Sequence, residues 1–481
     1  MTDSTSGRVI HELLRGLTDF DENSQVVPSL AKSWTISEDE LTYTFTLRDN
    51  IKWSDGKPIT TADFLYSWER ILTQKNASQY ASFLFSIKNA EDFYNTKIND
   101  FSQVGIKVLD DTHLEVILRK PNGFFLSMIG FQVAFPVRQD NVEKYGNQFT
   151  EAGQYITSGP FRLAKWQHDT RITLEPNPYY WDGEADKRPT VKFEMIPDQN
   201  TATTLFEQGV LDMADSGTVI SDSEYARYLK DPRTKTVGIS YIQYLGFNTK
   251  IAPFDDASIR KAFCQCMNRD YFPILLKSGQ KPLKTFVTEN LFGYNAKYGH
   301  NYAPQEAKAA WEAYLKKNPN VEIPPLLFPN KYDTRKMGEI LKFQWQEALG
   351  IHVPLRSLDW KVFLSRMHYD TPPMYLLTWF VDYPDADSFL SLFHHTNGNN
   401  HTGWQDDEYE ALLEKGAALQ NGSERQKAYD RAQEILVERD TVVCPMFSTD
   451  KLWVTQPWVE GLSFSAMNDI SMDDVRIKQK P

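Results

Sequence analysis

Met374-Tyr375-Leu376-Leu377-Thr378-Trp379-Phe380-Val381 is apolar at every position but Thr378, and it stops abruptly at Asp382-Tyr383-Pro384-Asp385-Ala386-Asp387. A run without polar alternation reads as a β-strand covered on both faces. Working outward from it, residues 323–328 and 351–357 read as further strands, and 334–349 and 359–368 as helices. Strand and helix alternating in this way predict a parallel-sheet lobe, with a ligand site at the carboxyl ends of its strands. Asp382 lies just past such an end, where that rule places a ligand contact.

The rest of the chain is mixed in the same way. Leu41-Thr42-Tyr43-Thr44-Phe45-Thr46-Leu47 alternates apolar residues with Thr and predicts a half-buried strand. Trp53-Ser54-Asp55-Gly56-Lys57-Pro58 makes a turn, after which Thr60 or Thr61 caps a helix reaching about Leu72. Further strands are expected at 105–109, 113–118, 171–175, 191–196 and 236–247, and helices near 256–276, 304–317, 406–419 and 423–438. No internal period is evident. At about 150 residues per domain, 481 residues hold more than one core serves, so a chain of several α/β lobes is expected.

Composition narrows the function. With 52 Lys plus Arg against 64 Asp plus Glu, the formal charge is −12, and no basic tract offers a surface to nucleic acid or an anionic membrane. The longest largely apolar stretch, Phe124 to Val137, is too short to span a bilayer. Met1 to Gly7 lacks the basic and apolar regions of a secretory leader. Cys264 and Cys266 stand two apart on a predicted helix and do not face each other. The three cysteines are therefore expected as buried thiols rather than a disulfide framework.

Catalytic signatures are weak. Ser29-Leu30-Ala31-Lys32 fits the S-x-x-K pattern, but neither S-D-N nor K-T-G follows, and no nucleophile elbow, zincin helix, phosphate loop or dinucleotide fingerprint occurs. His394, His395 and His401 surround Thr396-Asn397-Gly398-Asn399-Asn400, with Asp406 and Asp407 nearby. This reads as a polar loop of turn formers rather than a zinc site. Asp385 with Asp387 and Asp255 with Asp256 are expected as helix caps or surface charges. No cofactor or metal is expected.

Several blocks together are more specific. Pro28-Ser29-Leu30-Ala31-Lys32-Ser33-Trp34, Phe45-Thr46-Leu47-Arg48 and Trp53-Ser54-Asp55-Gly56-Lys57-Pro58-Ile59-Thr60-Thr61-Ala62-Asp63-Phe64 come first. Ser158-Gly159-Pro160-Phe161, Asn177-Pro178-Tyr179-Tyr180-Trp181, Phe247-Asn248-Thr249-Lys250-Ile251-Ala252-Pro253-Phe254-Asp255-Asp256 and Leu349-Gly350-Ile351 follow in order. From about Ser6 to Trp458 the chain resembles the family-5 bacterial extracellular solute-binding proteins, the peptide receptors of ABC importers, and among them the oligopeptide-binding proteins. The resemblance absorbs the S-x-x-K pattern. It implies an α/β, two-lobed periplasmic-binding-protein-like fold with an additional α/β domain: 1–20, 150–235 and 452–481 as a discontinuous lobe I, 21–149 as the additional domain II, and 236–451 as lobe III. It also implies a leader and a first core strand ahead of the region matched by Ser4-Thr5-Ser6.

The same resemblance implies a site. A receptor for many peptides binds what peptides share, and strand addition satisfies their backbone without reading side chains. Asp3, Ser4 and Thr5 on one side and Thr378, Trp379 and Phe380 on the other match the family's ligand-flanking segments, and Asp382 matches the carboxylate that pairs with the ligand's α-ammonium. Trp360, Tyr80, Tyr244, Asn248 and Asn399 match positions lining the cleft. Arg366 and His368 are weaker candidates for the ligand's carboxylate, since Leu376 stands where some oligopeptide receptors carry a basic residue. The expected function is capture of oligopeptides outside the cytoplasm, periplasmic or membrane-anchored, by a monomer that delivers them to ABC permease subunits. Alternatives are a non-peptide ligand such as a nickel chelate, opine or oligosaccharide, a peptide hydrolase, or a regulator signalling through a bound peptide.

Overall fold

The computed structural model describes residues 4–182 and 185–479. Helix α1 (Ser4–Leu13) precedes an antiparallel sheet of β1 (Ala31–Ile36), β2 (Thr42–Leu47), β3 (Ile106–Val108) and β4 (His113–Ile117) in the order β1-β2-β4-β3. The Thr alternation in β2 behaves as read: Tyr43, Phe45 and Leu47 are buried, and the threonines between them face outward. Helix α2 (Thr61–Leu72) covers this sheet. Thr60 is its N-cap, and the Thr60 N–H donates to the Asp63 carboxylate at 2.8 Å, so the first turn is closed by its own side chains.

A second antiparallel sheet joins β5 (Phe161–Gln167), β6 (Arg171–Pro176) and β7 (Val191–Glu194). Gly159, just before it, packs against the end of α1, where an added Cβ would lie 2.7 Å from the Glu12 carbonyl oxygen. Only glycine permits that approach.

The largest sheet has eight strands. Its path runs β8 (Met213–Asp215), β15 (Val443–Thr455), β10 (Tyr241–Phe247), β14 (Met374–Phe380), β12 (Leu326–Pro329) and β13 (Leu355–Leu358), with β9 (Thr234–Gly238) and β11 (Gln280–Pro282) also on β15. The alternation predicted a parallel sheet, and β13, β12 and β14 are parallel to one another. The rest is antiparallel: β14 pairs with β10, and β10 with β15. Helix α3 (Ala257–Gln265) and helix α4 (Tyr271–Leu276) pack on this sheet, as do α5 (Tyr332–Leu349) and α6 (Trp360–Tyr369). α5 ends at Gly350, whose φ of 69° allows its N–H to reach the Gln346 carbonyl at 3.0 Å.

Buried side chains gather in separate groups. One spans Leu14 to Phe135; others unite Leu13 and residues 161–228 with 452–475; two more occupy residues 242–447, joined by Met467. β15 runs between the last two sets. Its first half pairs with β10 and its second half with β8 and β9.

Three expectations are corrected. The strand expected over 236–247 is two, broken at Ile239-Ser240, where the Ser240 N–H leaves the sheet to reach the Ala466 carbonyl at 2.7 Å. The helix expected over 256–276 is likewise two, with Pro273 in the first turn of the second, where its missing N–H costs nothing. Cys264 on α3 and Cys444 on β15 form a disulfide, their Cα atoms 5.7 Å apart, while Cys266 is a buried thiol. With a sequence separation of 180 between the partners, no local spacing announces the pair. Asp256 does cap α3, accepting from the Ser258 N–H at 2.8 Å.

Candidate functional site

A cavity of about 540 Å³ opens at the carboxyl ends of β12 and β14. Its walls come from widely separated parts of the chain: Thr5 and Arg8 of α1, Gln79, Tyr80 and Phe131, the turn Ser216-Gly217-Thr218, the strand ends of the large sheet, and Met467 to Asp469 near the C-terminus. The volume lies within the usual range for small-molecule and cofactor sites.

β14 supplies the core of the site. β12 pairs only with Met374 and Tyr375, so beyond them this edge of β14 is open. On the other edge, Val381 donates its N–H to the Ser240 carbonyl at 2.9 Å, in continuation of the β10 ladder. Strand alternation then turns the backbone groups of Thr378 and Phe380 toward the open edge. The side chains there are fixed from behind. Thr378 Oγ1 donates to Gln243 Oε1 at 2.7 Å, Gln243 Nε2 donates to the Leu377 carbonyl at 3.0 Å, and Phe380 packs on Tyr241 with ring centroids 5.1 Å apart. Trp379 Nε1 and Asn399 Nδ2, both on residues lining the cavity, are buried without a hydrogen-bond partner. Leaving such donors unmade is costly, and an acceptor entering the cavity would satisfy them.

Asp382 is held by the turn that follows. Its N–H donates to Ser388 Oγ at 2.8 Å. Tyr383 is buried, stacked on Phe124 at 5.4 Å, and its hydroxyl donates to Asp387 at 2.6 Å. Asp385 pairs with the buried Arg425 at 2.8 Å. Asp385 and Asp387 are thus parts of a buried network rather than surface charges, because Arg425 reaches Asp385 from a distant part of the chain and the neighbouring Tyr383 turns its hydroxyl onto Asp387. The Asp382 carboxylate itself lines the cavity with no hydrogen bond or ion pair to another described residue. Burial, then the nearby Asp469 carboxylate, pushes it well above the usual carboxylate range. Asp469 also lines the cavity and is raised by burial, against the pull of His11 and Arg8. Two carboxylates from different parts of the chain therefore share one wall, and of the two only Asp469 has cations, His11 and Arg8, drawing on it.

The cations are placed differently. Arg8 reaches Asp215 at 3.4 Å, and Lys451 meets the same buried carboxylate at 2.6 Å. Lys331, at the mouth of α5, lies 5.0 Å over the Trp360 ring and makes no ion pair with a described residue. His401 is held near pH 4 by burial and by His368, and so is neutral at pH 7.

Of the residues singled out from the sequence, Thr5, Tyr80, Trp360, Thr378, Trp379, Phe380, Asp382 and Asn399 line this cavity. Tyr244 does not: it is buried among Phe286 and Tyr375, because it points to the opposite face of β10 from Gln243. Asn248 is turned to local work, donating to the Thr371 carbonyl at 3.1 Å. Arg366 pairs with Asp370 on the surface, and His368 Nδ1 meets Gln79 Nε2 at 2.7 Å behind the cavity rim. Ser4 and Thr5 open helix α1 rather than an extended segment, so they offer first-turn N–H groups in place of a strand edge. Asp3 lies outside the described residues. Asp469, Lys331 and Gln243 escaped the sequence reading. Only Gln243 left a local signal, as the one amide in an otherwise apolar strand.

Residues 25–401 match the model of the bacterial extracellular solute-binding proteins, family 5. The chain belongs to this family. The oligopeptide-binding protein OppA of Bacillus subtilis is 30% identical over 481 residues, covering 97% of this chain and 88% of that protein. The structure of Listeria monocytogenes OppA bound to peptide is 26% identical, covers 100% of this chain and 96% of its own, and superposes with a TM-score of 0.89. The unliganded open form of the murein tripeptide-binding protein MppA has the same 26% identity over 99% and 93% of the two chains, yet a TM-score of 0.66. At equal identity, this chain superposes more closely on the peptide-bound structure than on the open one.

Proposed function

We propose that this chain is the solute-binding receptor of an ABC importer and captures oligopeptides in the cavity at the end of β14. The observation that carries the reading is the open strand edge at Thr378 and Phe380 running into the uncompensated Asp382. An extended peptide completes the edge by main-chain hydrogen bonds, and its α-ammonium lies at Asp382, with Asp469 adding charge from the same wall. Lys331 receives the ligand's carboxylate, being the cavity cation not already paired with Asp215. Tyr80, Trp360 and Phe380 give side chains area without a shape-specific pocket. The reading as a binding site rather than a hydrolase is supported by the family, whose matched relatives are named as binding proteins.

The separate buried groups support a division into lobe I (1–20, 150–235, 452–481), domain II (21–149) and lobe III (236–451), with the ligand enclosed between them. The receptor acts outside the cytoplasmic membrane as a monomer and presents its closed form to the permease subunits. Native mass spectrometry of the purified protein, with calorimetry against a mixed-length peptide library, tests the reading. Co-purified peptide masses and heat with free peptides are expected; binding of an oligosaccharide or metal chelate with none of peptide would overturn it.

A further inference from the structure

The histidines that the sequence groups together are divided by the fold. His401 joins the ligand cavity, whereas His394 and His395 lie beside Glu410 of helix α7 (Asp407–Ala417), a residue fifteen positions on that no spacing pattern singles out. His395 Nδ1 is 2.8 Å from both Glu410 carboxylate oxygens, His394 Nε2 is 3.7 Å from Glu410 Oε2, and all three donor atoms lie within 4.8 Å of one another. Bonds of about 2.0–2.1 Å in a tetrahedral site set ligand atoms roughly 3.3 Å apart, so the observed spacings straddle the required edge and small side-chain rotations close it. We propose that His394, His395 and Glu410 form a binding site for a divalent transition ion of the zinc class, separate from the peptide cavity.

The donor chemistry fits. Two imidazoles and one carboxylate, with a fourth position left to water, suit zinc, and both rings bind in their neutral form. Thr396 Oγ1 lies 2.8 Å from His394 Nδ1 and accepts its proton in the tautomer that frees Nε2 for the ion. In the empty site the Thr396 N–H approaches the same Nδ1 at 3.2 Å, so occupation exchanges one tautomer for the other. The side chains are reachable from solvent, His395 being 45% exposed and Glu410 14%. One turn along α7, Glu414 pairs with Lys120 at 2.8 Å and Arg119 at 3.5 Å. Those cations neutralise Glu414 and leave Glu410 to the ion. A bound ion would fasten the 394–396 turn to α7 beside the seam with residues 119–120.

Calorimetry with zinc chloride on the full, EDTA-stripped chain tests this, with cobalt(II) absorption as a second reading. One ion per chain and a tetrahedral cobalt spectrum are expected, with affinity at least 10–100-fold weaker in His395→Ala and Glu410→Gln, as loss of metal-site contacts typically gives. Peptide affinity should be unchanged in both variants, which also reports that they are folded. Zinc uptake absent from the wild type, or equal in wild type and variants, would overturn the proposal, and neither result bears on peptide binding.

Discussion

Asp382 decides most at the scale of single residues, because burial and Asp469 raise its pKa in the empty cavity. For an acid raised in the folded state, the fold binds more protons than the unfolded chain. The ligand-free protein therefore loses stability as pH rises from the ordinary aspartate value through the raised one. Asp382→Asn should raise the melting temperature of the ligand-free protein at neutral pH while weakening peptide binding at least about 100-fold, since a buried charge pair is lost on one side. A melting temperature that falls together with the affinity would show that Asp382 supports the fold instead. Peptide affinity should also decline as pH falls through the raised carboxylate range, where the proton displaces the ammonium; calorimetry across that range checks it. Lys331 makes a parallel prediction. The wild type should prefer free over amidated C-termini, and Lys331→Gln should erase the preference with little change for the amidated peptide.

β14 acts as an element. Because Val381 and the alternate residues before it are bonded to β10, only Thr378 and Phe380 present backbone groups to a ligand. The requirement then repeats every second ligand residue. N-methylation of peptide amides facing this edge should weaken binding by roughly 10-fold each, the worth of one hydrogen bond of about 1–1.5 kcal/mol, while methylation at the intervening amides is tolerated. A scan of singly methylated peptides that shows no alternation would refute the strand-addition mode. The apolar run of this strand was legible in the sequence. Its open edge was not, since that depends on where β12 stops pairing.

For the whole molecule, the chain superposes more closely on the peptide-bound neighbour than on the open one. β15 runs unbroken from the β10 side to the β8 side of the large sheet. In the division proposed above, Asp382 and Asp469 belong to different lobes, so contacts made by a peptide with both favour the shut state. Small-angle scattering should show a radius of gyration that falls on adding peptide to ligand-free protein, and a smaller change in Asp469→Asn. An unchanged radius with saturating peptide would mean that the receptor is closed before it binds.

The sequence by itself determined the mixed α/β character, the strand covered on both faces, the cap of α2 and the family. These follow from periodicity and from motifs short enough to be read locally. Tertiary structure alone decided that Cys264 meets Cys444, that Tyr244 faces the core, that Asp469 shares a wall with Asp382, and that His394 and His395 stand with Glu410 while His401 does not. Each of those depends on which face of an element turns toward a segment far away in the chain. Local patterning specifies that a face is apolar or polar, but the packing of distant segments selects what it meets.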